Sequence, residues 1–156
     1  MSTRLSTGLR EAILSAIKTA FDGGVCKLYT GTPMAKADEA ELGDLLVTIT
    51  LDGAAHTPGV STNGLVFGDI THDGNGTFSV LAKTDPAVWK GVAIRDGVIG
   101  WGRLYDVNVV SGASTSAVRM DGEALTVDGA TFEVSTQTTK AGVEVVVTAL
   151  NIQIPY

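Results

Sequence analysis

Few side chains in this sequence of 156 residues carry the chemistry for nucleophilic, acid–base or metal work. Cys26 is the only cysteine, so no intrachain disulfide can form, and a thiolate metal site would lack its second sulfur. A nucleophilic cysteine needs a basic partner. The two histidines, His56 and His72, sit in turn-like contexts with no Cys/His signature, so Cys26 reads as a small buried hydrophobe. Asp38, Glu39 and Glu41 put three carboxylates in four residues, as a hard cation would require, but within a polar Ala-rich stretch that reads as solvated surface. Asp73, Asn75 and Thr77 imitate the start of a calcium loop. The sixth position, however, is Phe78 where the turn needs glycine, and no glutamate closes the site. Ser111 to Ser116 (SGASTS) offers hydroxyls without a base or a G-x-S-x-G elbow. Asn75-Gly76-Thr77 matches a glycosylation sequon, which matters only in a secretory pathway. No catalytic, cofactor-binding or metal-ligating residue is therefore assigned, and no cofactor is expected.

The elements that would have to position such groups are mostly strands. Leu9, Ile13, Ala16, Ile17, Ala20 and Phe21 recur at helical spacing, with Ser6 or Thr7 to cap and Gly23-Gly24 to stop, so one N-terminal helix is expected over Leu9 to Phe21. Its apolar stripe should dock on the rest of the chain or on a neighbour. Thereafter β-branched runs alternate with turn residues. Strands are expected at Val25 to Thr30, Leu45 to Leu51, Leu65 to Phe67, Thr77 to Lys83, Ala117 to Met120 (turning at Asp121-Gly122), Thr131 to Ser135 and Val143 to Ile154.

The centre of the chain, Trp89 to Asp106 (WKGVAIRDGVIGWGRLYD), reads as a β-hairpin about Asp96-Gly97, a dipeptide suited to a type I′ turn. That register pairs Ile94 with Ile99 and Val92 with Trp101 on a core face. The opposite face, with Ala93, Gly100, Gly91 and Gly102, is nearly bare, so that another backbone or ring can lie against it.

Eight to ten short strands with frequent turns predict a mainly β fold, an antiparallel β-sandwich of jelly-roll type, with a small barrel as the alternative. Residues 1–24 would form an arm and helix, and residues 25–156 a single sandwich domain. Seventeen acidic against eleven basic residues give a net charge of -6, which disfavours nucleic acid as a partner. No continuous apolar stretch suggests a signal peptide or a membrane span. A mean hydropathy of +0.24 is apolar for a free monomer and points to surface covered by a partner or by further copies.

Three stretches, LSTGLREAIL, KLYTGTPMAKADEAELGDLLVTITLDG and WKGVAIRDGVIGWGRLYD, resemble a family of small proteins encoded among the structural genes of tailed bacteriophages and prophages. Its members share a Leu-Ser-Thr-Gly-Leu opening, a Tyr-Ser/Thr-Gly-Thr strand end, an acidic Ala-rich loop and a Gly-Trp-x-Arg-x-Tyr-Asp segment, here Gly100 to Asp106. The resemblance covers about the first two thirds of the chain. It implies a virion structural protein, and its motifs do not say whether on head or tail. An acidic, glycine-rich β-domain assembled in the host cytoplasm and suited to many identical weak contacts on a symmetric lattice makes a non-enzymatic capsid decoration or cement protein on the outer face of the major capsid lattice the foremost expectation, and a tail or baseplate component the alternative. The expected partners are the major capsid protein or other virion proteins, with homo-oligomers, a trimer among them, and neither nucleic acid nor membrane. A carbohydrate-binding sandwich using Trp89, Trp101 and Tyr105 as stacking surfaces is the reading from a different class.

Overall fold

The structure is a computed structural model that describes residues 4–155; the first three residues of the expected N-terminal arm lie outside it. Among the described residues there are one helix and ten strands. The helix, α1 (Thr7–Phe21), begins where Ser6 Oγ accepts the Leu9 N–H and ends where Gly23 takes a positive φ of 81°. The strands are β1 (Val25–Thr30), β2 (Leu45–Leu51), β3 (Phe67–His72), β4 (Phe78–Lys83), β5 (Trp89–Val92), β6 (Gly97–Tyr105), β7 (Arg119–Leu125), β8 (Phe132–Val134), β9 (Thr138–Thr139) and β10 (Glu144–Pro155).

The mainly β character and the single N-terminal helix stand as expected, but the strands form a barrel and not a sandwich. In the order β10-β5-β2-β1-β6-β7-β8, the last strand pairs back onto β10, so seven strands close the sheet on itself. Closure depends on β10. Its first half pairs with β5 on one edge and with β8 on the other, while its second half runs on to pair with β4. Nor is the sheet purely antiparallel, since β7 and β8 run parallel. Hairpin β3–β4 extends the sheet beyond the barrel, and β9 pairs with the start of β6.

The central hairpin does not form. β5 and β6 are separated by β2 and β1, and the 93–98 segment crosses one end of the barrel instead of turning back. Ala93 and Ile94 donate their N–H groups to Val143 and Leu46, and Gly97 pairs with Thr139. These long-range partners give Asp96-Gly97 another role, and the predicted core face is split: Ile99 and Trp101 are buried, whereas Val92 and Ile94 are 56% and 60% exposed. The bare glycine strip is nevertheless filled. A Cβ on Gly100 would lie 1.9 Å from the carbonyl oxygen of Gly31, and one on Gly102 would touch the Phe132 ring at 3.1 Å. Two further boundaries move. β3 runs on through His72 where a strand ending at Phe67 was expected, and Asp121-Gly122 lies inside β7, paired with Arg103 and Gly102, where a turn was expected.

Helix α1 lies across β3, β4 and the second half of β10. Its buried face carries Arg10, Leu14 and Phe21, with Ile17 and Ala20 packed at the margin. Leu9, expected in the apolar stripe, is instead about half exposed. The face is rotated because Arg10, a residue that reads as polar, is turned inward, where Nε donates to Ser79 Oγ and Nη2 to Thr7 Oγ1 and the Gly76 carbonyl.

Candidate functional site

The barrel wall formed by β1, β6 and β7 carries its unusual chemistry on the outside. Alternation along these strands sends Cys26, Leu28 and Leu104 into the core. The intervening residues Lys27, Tyr29, Trp101, Arg103, Tyr105, Arg119 and Asp121 then share the outer face, in register as Tyr29–Trp101, Lys27–Arg103–Asp121 and Tyr105–Arg119. The loop spanning Met34 to Gly43 and the loop spanning Ser111 to Ala117 fold over this face. Arg103, Trp101 and Tyr105 become fully buried beneath them.

Arg103 is the hub. It donates to both carboxylate oxygens of Asp121 at 2.6 and 2.7 Å, and through Nη1 to the Glu39 carbonyl and to Glu41 Oε1. Glu41 also accepts from Tyr105 Oη at 2.5 Å and from the Gly112 N–H at 2.9 Å. Burial raises the affinity of Glu41 for a proton, but these donors and the Arg103 charge outweigh it and hold the carboxyl below its ordinary range. Burial and the bond to Glu41 push the Tyr105 hydroxyl far above the tyrosine range, and burial pushes Tyr29 up to about 12. Both phenols therefore keep their protons. Tyr105 donates to Glu41, and Tyr29 donates in turn to Tyr105, 2.9 Å away. Tyr29 stacks on Trp101 with ring centroids 4.6 Å apart, and Trp101 Nε1 donates to the Thr30 carbonyl. Arg119 ties down the second loop through the carbonyls of Gly112 and Ser114, while its Nε is buried without a partner among the described residues.

Chemically this is a fastener. Glu41 is held ionised, both phenols keep their protons, and the Arg103 guanidinium is committed through all three nitrogens to Asp121, Glu41 and the Glu39 carbonyl. The three acids of the Ala-rich loop are dispersed: Glu41 turns inward, whereas Asp38 and Glu39 contribute backbone carbonyls, to Ser114 and Arg103, and are exposed. Among the described residues no group of three or more His, Cys, Asp and Glu could hold a metal ion. Asp73 is used by its own turn, accepting the Phe78 N–H at 2.7 Å. Cys26 is fully buried in the core, and desolvation drives its thiol well above the cysteine range. Trp89, Trp101 and Tyr105 are all buried, so none offers a ring face to a sugar.

One constellation had no counterpart in the sequence reading. His72 Nδ1 lies 2.8 Å from Ser79 Oγ, and its Nε2 lies 2.9 Å from Glu11 Oε1. Ser79 Oγ also accepts from Arg10 Nε, so the serine, the imidazole and the carboxylate form one hydrogen-bonded chain, the constellation of a Ser–His–Glu relay. Ser79 has no exposed surface, however, so no substrate carbonyl can reach its oxygen. The relay instead pins α1 to hairpin β3–β4. Sixty-one residues separate Glu11 from His72, and no local spacing could have announced the contact. The Arg103 hub left a fainter trace, the alternation Trp101-x-Arg103-x-Tyr105, which puts three large polar-tipped side chains on one strand face.

No family model matches the chain, and neither a curated protein nor a solved structure proved similar to it.

Proposed function

We propose that this chain is a non-enzymatic structural protein of a tailed-bacteriophage virion, a decoration or cement protein on the outer face of the capsid lattice that contacts the major capsid protein and further copies of itself. The observation that carries the reading is the convergence of two of the three stretches on which the phage resemblance rests. The Tyr29-Thr30 strand end, the acidic loop with Glu39 and Glu41, and the Trp101-x-Arg103-x-Tyr105 segment meet in one buried knot. A sequence pattern spent on internal fastening fits a protein whose work is to be rigid and to bind. A rigid wall keeps a lattice-binding surface preorganised, and many identical weak contacts on a symmetric shell gain strength through multivalency. The end of the barrel crossed by the 93–98 segment supplies a surface of suitable character, with Val92, Ile94 and Val143 exposed beside one another.

The test is the copy number in purified particles, by quantitative mass spectrometry against the major capsid protein. A ratio near one per capsid subunit, or one trimer per three, is expected. A few to a few dozen copies would move the protein to the tail or baseplate, and its absence from particles would overturn the proposal.

A further inference from the structure

A cleft of about 390 Å³ opens on the outer wall of β1, β2 and β5, roofed by the loop from Gly53 to Pro58 and bounded at one end by Val109. This lies within the roughly 300–1,000 Å³ of small-molecule sites. Its accessible apolar surface comes from Val92, Val109 and Pro58, Val25 being buried, with Thr48, Thr50 and His56 as polar neighbours and no acidic residue on the lining. The one permanently basic side chain on the lining is Lys27. Among the described residues no carboxylate pairs with this amine. Its nearest polar contact is Ser111 Oγ at 3.4 Å, and it sits 4.9 Å from the centre of the Tyr105 ring. Half-burial holds the amine below the usual lysine range, with the Glu41 charge pulling the other way. A partly desolvated ammonium held by a weak hydrogen bond and a ring face is short of an anion, and the cleft beside it presents Val92, Val109 and Pro58 with no acidic residue.

We propose that this cleft is a binding site for a small amphiphilic monocarboxylic acid, its carboxylate on Lys27 Nζ and its apolar body against Val92, Val109 and Pro58. A neutral alcohol of the same length would forgo the charge-assisted hydrogen bond, and an amine would be repelled by Lys27.

Octanoate is the probe, titrated into the intact protein by calorimetry and by NMR of the valine methyl groups, with octanol and octylamine as controls. Saturable shifts at Val92 and Val109 are expected with octanoate. Binding should weaken about tenfold or more for octanol and for the Lys27→Met variant, which keeps the aliphatic stem. Ala55 is exposed at the rim, so Ala55→Trp should fill the cleft and abolish binding without altering the melting temperature. Absence of saturable octanoate shifts in the parent protein, shifts located elsewhere, or undiminished octanoate binding in Lys27→Met would each overturn the assignment.

Discussion

Arg103 and Asp121 face each other across β6 and β7 as register partners, and the guanidinium meets the carboxylate through two bonds of 2.6 and 2.7 Å with no exposed surface on the arginine side chain. A bidentate pair at this depth gives geometric definition more than net stability, because desolvation offsets most of the attraction. Removing one partner is another matter. Asp121→Ala leaves the buried Arg103 with Glu41 as its one carboxylate partner among the described residues and should cost about 3–5 kcal/mol in urea unfolding. A loss below about 1 kcal/mol would show that the pair does not anchor the knot.

Glu41 makes the knot sensitive to acid. Its carboxyl is held below its ordinary value in the folded protein, so its contribution is fully present above the unfolded pKa of about 4.3 and is lost as pH falls through the lower folded value. Denaturation midpoints measured between about pH 3 and 7 should therefore fall more steeply toward acid in the parent protein than in Glu41→Gln. Parallel profiles would show that Glu41 does not supply the linkage.

At Gly100 the backbone of the Gly31 turn occupies the space of a side chain. Gly100→Ala should destabilise by about 1–3 kcal/mol or more, since a backbone carbonyl must move to admit the methyl group. Gly8, in the first turn of α1, has nothing within 4 Å of its Cβ position. Thermal melts should show Gly8→Ala neutral or stabilising by up to about 1 kcal/mol.

Helix docking rests on Leu14, which is fully buried, and not on Leu9, which is 48% exposed. Leu14→Ala should cost about 2–5 kcal/mol, and Leu9→Asp less than about 0.5 kcal/mol. The reverse order in chemical denaturation would restore the face that the helical spacing suggested.

Cys26 should resist thiol reagents in the folded state, because it is fully buried and its thiol is held protonated. Its labelling rate, followed with a chromogenic disulfide, should track global unfolding across a denaturant series. Rapid labelling in buffer would contradict its place in the core.

Local chemistry was legible in the residues themselves. The Ser6 cap, the stop at Gly23 and the strands at Val25–Thr30 and Leu45–Leu51 follow from capping groups and β-branched runs, which act within a few residues of chain. So does the need of the glycine strip for a close neighbour. What the strands pair with was decided by contacts far apart in the chain. Asp96-Gly97 is locally competent for a hairpin, yet the N–H groups of Ala93 and Ile94 find Val143 and Leu46, and the predicted core face divides between interior and solvent. Barrel and sandwich share the same alternation along each strand; what separates them is whether the last strand meets β8 as well as β5, a matter of sheet closure that no short window of sequence encodes. The polar knot divides in the same way. Alternation puts Trp101, Arg103 and Tyr105 on one face, but only the return of the Met34 to Gly43 loop turns that face into an interior, because burying an arginine is tolerable only where Asp121 and Glu41 arrive with it.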